Sequence, residues 1–133
     1  MLRTANRPGR QNQREFARVP LADHPILLLE RAPRGLQTEE SVRAHEAWAV
    51  DVSIDGARVR CADAPPVGAA VCVRLVLDAT RGPERVVMLP GRIVRVRRGD
   101  DGWHAAIHFS GIERADHTLL ARWLFQQIRA RAA

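Results

Sequence analysis

The stretch Val71-Cys72-Val73-Arg74-Leu75-Val76-Leu77-Asp78 alternates without a break, with Val71, Val73, Leu75 and Leu77 on one side and Cys72, Arg74, Val76 and Asp78 on the other. A period of two marks a strand with one buried face. Upstream, Ala64-Pro65-Pro66-Val67-Gly68 breaks the chain, and downstream Thr80-Arg81-Gly82-Pro83-Glu84 turns it back. Residues 85–98 then carry a long strand pattern interrupted at Pro90-Gly91. Proline cannot donate to a ladder, so a bulge or bend is expected there. Gly99-Asp100-Asp101-Gly102 makes the next hairpin turn, and Trp103 to Phe109 is a final strand.

The same reading extends toward the N-terminus. After Gly56, Ala57, Val59 and Cys61 alternate with Arg58 and Arg60, a half-buried strand. Trp48-Ala49-Val50-Asp51-Val52 is another, ending near Ser53. Residues 32–45 contain Pro33 and Gly35 and read as a loop. Ile26-Leu27-Leu28-Leu29, after Pro25, marks a strand over 24–31. Beyond Phe109 the period changes. Leu119, Leu120, Trp123, Leu124 and Ile128 share one helical face, with Arg122, Gln126 and Arg129 on the other. Asp116 is assigned as the N-cap, and Arg129 and Arg131 suit the negative end of the helix dipole. There are no internal repeats. The sum is a mainly β chain: six strands in an antiparallel, barrel-like sheet, with a C-terminal helix over one opening. Trp48 and Trp123 are assigned to the core.

At 133 residues and 14.8 kDa, with 46% hydrophobic residues, the chain is one folded domain. No apolar run approaches the roughly 18 residues of a membrane span, and Met1-Leu2-Arg3-Thr4 does not begin a secretory signal. Cys61 and Cys72 are too isolated for a zinc site or a disulfide framework, and are read as reduced thiols in a cytoplasmic protein. All 21 basic residues are arginine. Residues 1–20 hold five of them against Glu15 alone, so +4 of the net +6 sits at the N-terminus. Residues 1–13 are polar, include Pro8-Gly9 and read as a flexible arm suited to an anionic partner. Residues 14–133 form the folded domain.

Two short constellations carry chemistry. Arg14-Glu15-Phe16-Ala17-Arg18, followed by Val19-Pro20, places two arginines four apart where the arm meets the barrel. Asp51-Val52-Ser53-Ile54-Asp55-Gly56 ends one strand and turns into the next. Alternation puts Asp51 and Ser53 on one side, and Gly56 permits a φ > 0 turn and close approach of a ligand. Taken singly, an arginine pair is usually just solvated, and Asp-x-Ser before a glycine is usually a turn.

Together these stretches match, in order and spacing, the RxxxR and (D/N)xSxxG motifs of PilZ domains. The resemblance covers residues 14–130, including the strand pattern, Phe109 at the end of the last strand and the C-terminal helix. It implies a six-stranded PilZ-type barrel that serves as a stand-alone receptor for the second messenger cyclic di-GMP. It also implies Arg14, Arg18, Asp51, Ser53 and Gly56 as ligand-binding residues. The chemistry is consistent with those roles. The ligand is a dianion with two flat guanines, and arginine pairs with phosphate and stacks on rings. A carboxylate such as Asp51 accepts from guanine N1–H and the N2 amine, a donor pair that adenine lacks. Ser53 can add a smaller hydrogen bond. Arg60 and Trp103 are secondary candidates, for a phosphate and for stacking on a guanine. Arg58 shares the Arg60 face. Two positions depart from the family pattern. Gln13 stands where many members have a further arginine, which bears on whether one ligand or a stacked pair binds. Ala106 stands where glycine is common.

The resemblance further implies that the arm reorders over the ligand and signals to a protein effector that the sequence does not identify. No nucleophile–base pair, phosphate-cradling glycine loop or metal cluster is present in the pattern, so neither an enzyme, a metal nor a cofactor is expected. His104 and His108, four apart on a strand, do not make a ligand pair. The competing reading is a basic barrel that binds nucleic acid. With 5% aromatic residues and no tyrosine, stacking platforms for it are scarce.

Overall fold

The computed structural model describes residues 18–31, 42–77 and 85–132. The expectations for the arm, for Arg14 and for the 80–84 turn lie outside these residues. The strands are β1 (Val19–Arg31), β2 (Val42–Val52), β3 (Gly56–Cys61), β4 (Ala70–Leu77), β5 (Arg85–Gly99) and β6 (Gly102–Phe109), followed by the helix α1 (Arg114–Ala132). Every strand pairing is antiparallel, and the order β1-β2-β3-β6-β5-β4 closes into a barrel through β4 and β1. This is the expected mainly β barrel with one C-terminal helix.

β4 keeps the alternation that identified it. Val71, Val73, Leu75 and Leu77 are buried, and Cys72, Arg74 and Val76 are half-buried on the outer side. The inward rows of the other strands meet it in one core, where Leu28, Leu75, Leu89 and Ile93 are each under 2% exposed. Each such side chain stabilises the fold by about 1.5–3 kcal/mol. Leu120, Trp123 and Leu124 of α1 join this core and close one end of the barrel.

Several expectations are corrected. β2 begins at Val42, so residues 42–45 belong to the strand and not to a loop. Their partners Arg31 to Leu28 continue the β1–β2 ladder regardless of side-chain polarity. No irregularity occurs at Pro90-Gly91; the shift lies between Ile93 and Arg95, against β6. The Pro90 carbonyl accepts from Ser110 N–H at 2.9 Å, so the side of Pro90 that lacks an N–H faces the end of β6, where no strand needs it. Gly91 is required there instead, because a Cβ would lie 2.2 Å from the His108 carbonyl oxygen. Asp116 is not the N-cap. The first helical bond runs from His117 N–H to the Glu113 carbonyl at 2.8 Å, and Asp116, in the first turn, accepts from Met88 N–H at 3.4 Å. Ile128 is 40% exposed and not on the buried face, whereas Leu119 packs partly against the core.

Candidate functional site

A bulge places the central carboxylate. Ala49 pairs with Val59 and Asp51 with Arg58, leaving Val50 as the extra residue of β2. Ala47 and Ala49 point into the barrel. Without the bulge Asp51 would follow them inward; with it, Val52 takes the inward place and Asp51 emerges on the outer face beside Arg58.

Asp51 is held from both sides. Arg18 Nη1 donates to Oδ1 at 3.1 Å, and Arg58 Nη2 lies 3.1 Å from Oδ2. The carboxylate side chain is 11% exposed, whereas Arg18 is 61% exposed. The carboxylate is thus held in place between two guanidinium groups, one of which is open to solvent. Pro20 pairs with Asp51 across β1 and β2, which brings the chain immediately after Arg18 over the carboxylate. Each Asp51 oxygen keeps further acceptor capacity after one bond, so the site can still take donors from a ligand.

Ser53 lies one residue past the end of β2, in the turn. It is buried, and its Oγ donates to Asp55 Oδ1 at 2.5 Å, with the Gly56 carbonyl at 3.3 Å. Its backbone N–H donates to the same carbonyl at 2.8 Å, and Phe109 N–H donates to the Asp55 carbonyl at 2.9 Å. The turn is therefore locked to β6. Gly56 does not adopt positive φ, contrary to the expectation. A Cβ there would lie 2.5 Å from the Ile107 carbonyl oxygen, so glycine serves strand contact with β6.

Arg60 lies on the outer face, two residues along β3 from Arg58. Its guanidinium sits 4.5 Å over the Trp48 ring, and its Nε is 3.6 Å from carboxylate oxygens of both Asp23 and Asp101. Trp48 is thus an outer-face residue under a cation, not a core residue, because it pairs with Arg60 on the unburied row. Asp23 reaches this position from a left-handed backbone, φ 48°, within the β1 irregularity between Pro20 and His24. His104 Nε2 lies 2.8 Å from Asp101 Oδ1. That hydrogen bond, more than the nearby Arg60 charge, holds the Asp101 carboxyl below its ordinary value. Trp103 is not brought to the Asp51 cluster. It pairs with buried Cys61 on the inward row at the barrel end, with the Arg98 guanidinium 5.6 Å from its ring centre.

The sequence matches the PilZ domain family over residues 12–126. The chain belongs to the PilZ domain family. No curated protein matches it by sequence. Among solved structures, it is similar to the PilZ domain of CeSA from a cellulose-synthesizing bacterium, at 22% identity and TM-score 0.54, over 83% of this chain and 96% of that one. It is also similar to the PilZ domain of YcgR from Escherichia coli, solved with c-di-GMP, at 13% identity and TM-score 0.58, over 90% and 94%. A third likeness is to the Bacillus subtilis inhibitor of motility MotI/DgrA, at 16% identity and TM-score 0.58, over 89% of this chain and 51% of that one. These likenesses carry the fold. In this PilZ domain the residue that sequence reading underweighted is Arg58. Its outward place was visible from the β3 alternation, but its pairing with Asp51 depends on the Val50 bulge. Among the described residues, no helix is long and apolar enough to cross a membrane.

Proposed function

We propose that this PilZ domain is a cyclic di-GMP receptor that signals to a partner protein from the cytoplasm, without catalysis. The observation that supports it most is the Arg18–Asp51–Arg58 ion-pair chain on the outer face, beside the Ser53–Gly56 turn. A dianion with guanine rings needs fixed cations for its phosphates and an acceptor pair for the guanine N1–H and N2 amine. Arg14, Arg18 and Arg58 supply the first and Asp51 the second. Ser53 and Gly56 shape the turn that holds Asp51, and Arg60 over Trp48 borders the surface. Exposed Arg18 exchanges its Asp51 contact for a phosphate, and residues 1–18 order over the ligand as it does so. That ordering creates the surface a protein effector reads.

The test is calorimetric titration with cyclic di-GMP. Wild-type protein is expected to bind and to prefer cyclic di-GMP over cyclic di-AMP. Arg18→Ala is expected to weaken binding by about tenfold or more, the loss of a charge-assisted contact. Asp51→Ala is expected to remove the guanine preference. Wild-type affinity in both variants, with folding intact by circular dichroism, would sink the proposal.

A further inference from the structure

The outer face holds a second basic feature that the two motifs do not include. A cleft of about 280 Å³ opens between β3, β6 and β5, lined by Arg58, Arg95, Arg97, Arg98, His104 and Ala106. The irregularity between Ile93 and Arg95 leaves Val94 as the extra residue and resets the alternation of β5. Arg95 then pairs with Ala106 and Arg97 with His104, and both arginines are exposed on the outer face. Ala106 is also the partner of Arg58 on β3. A single methyl therefore sits between two guanidinium-bearing chains, and the surface is concave there.

The charges in the cleft are unevenly compensated. Arg58 is paired with Asp51, and His104 with Asp101. Among the described residues, neither Arg95 nor Arg97 has a carboxylate partner. Uncompensated like charges around a concave surface create a positive potential that an anion relieves. Arginine's planar fork suits phosphate oxygens in particular. The volume falls just below the roughly 300–1,000 Å³ of pockets that enclose a whole small ligand, so the cleft takes only part of one. Arg58 belongs to both the cleft and the Asp51 cluster, which makes the two continuous.

We infer that this cleft is a phosphate-binding extension of the site, in which Arg95 and Arg97 hold a phosphodiester group of the bound cyclic dinucleotide. The inference rests on the receptor reading above. It adds two binding residues on β5, a strand that neither sequence motif reaches.

The test uses the full chain and two charge-matched double variants. Arg95→Ala/Arg97→Ala removes the cleft cations, and Arg122→Ala/Arg129→Ala removes two exposed arginines from α1. The first is expected to weaken cyclic di-GMP binding by about tenfold and to flatten its salt dependence. The second should change affinity by less than about twofold. A cleft variant that binds within twofold of wild type, or no more weakly than the α1 variant, overturns the inference and leaves the receptor reading standing. Should the double variant fail to fold, Arg95→Gln and Arg97→Gln are titrated singly against the same criterion. Inorganic pyrophosphate provides the independent probe, followed by NMR of the arginine Nε–H signals. Where wild-type protein ignores cyclic di-GMP, the receptor reading and the dinucleotide as occupant of the cleft are both rejected, and pyrophosphate shifts at Arg95 and Arg97 uphold the cleft as a phosphate site alone. No shift rejects the cleft as well. A single-stranded oligonucleotide that binds more tightly than cyclic di-GMP also overturns the inference, because the arginines then form a polyanion track.

Discussion

Asp51, Ser53 and Gly56 sit within six residues and do three different physical jobs. Asp51 presents charge, whereas Ser53 spends its hydroxyl inside the turn on Asp55 at 2.5 Å. Ser53→Ala should therefore cost about 1.5–3 kcal/mol of stability, the value of a hydrogen bond to a charged group. Urea unfolding checks this. A variant as stable as wild type would free the hydroxyl for direct contact with ligand. Gly56→Ala meets the Ile107 carbonyl at 2.5 Å, and overpacking of this kind costs about 1–3 kcal/mol. Cys61 shows burial acting on chemistry. Desolvation raises its thiol from 9.0 to about 11, against a smaller opposing pull from Arg60. The neutral thiol is the form the fold favours. Its stabilising contribution is complete below the ordinary thiol value and is lost as pH rises through about 11. Iodoacetamide at pH 8 should label half-buried Cys72 before buried Cys61, as read by peptide mass spectrometry. The motif residues stood out in the sequence only through the order and spacing of the two motifs together. The job of Gly56 was not legible there, since it depends on β6, about fifty residues away in sequence, whereas the local turn contact of Ser53 is the ordinary behaviour of a serine before a glycine.

The elements show where a period of two suffices and where it stops. β4 runs without interruption, and its sequence pattern is its burial pattern. β2 and β5 each carry one extra residue, Val50 and Val94, and after each the inward and outward sets exchange. A bulge is a property of two strands in register, so nothing in Val50 or Val94 alone announces it. Pro90 did announce a break, and the break is not there. Its missing donor falls where β6 has already ended, and the sensitive residue is its neighbour. Pro90→Ala should accordingly change stability by no more than about 1 kcal/mol, the scale of an unfolded-state entropy effect. Gly91→Ala should cost more, because its Cβ would lie 2.2 Å from the His108 carbonyl oxygen and 3.0 Å from the Phe109 Cα, and neither strand can yield without breaking ladder bonds. Thermal unfolding of the pair gives the order directly. Equal melting temperatures would show that β5 and β6 slide apart cheaply at this end of the barrel.

At the scale of the molecule, α1 joins the closure of the barrel to the site. Its inner face buries Leu120 at 0% exposure beside Trp123 and Leu124, and its far end reaches the start of β1, where Arg131 donates to the Pro20 carbonyl. Pro20 is the residue opposite Asp51. The helix therefore touches the backbone between Arg18 and the carboxylate that Arg18 holds. The two ends of α1 should respond differently to mutation. Leu120→Ala leaves a cavity in the shared core and should cost about 2–5 kcal/mol, lowering the melting temperature of the whole barrel. Arg131 is exposed and gives one hydrogen bond to a backbone carbonyl, an interaction worth about 0.5–1.5 kcal/mol. Val19, next to Pro20, is 1% exposed and remains paired with Val52, so losing Arg131 should not unzip β1. Arg131→Ala should instead leave the melting temperature within a few degrees of wild type while amide exchange at Arg18, Val19 and Leu21 quickens. Cyclic di-GMP affinity should fall by a few fold, because Arg18 is then held by a looser backbone. Unchanged exchange at those amides, with Leu120→Ala destabilising as expected, would show that α1 closes the barrel without reaching the site.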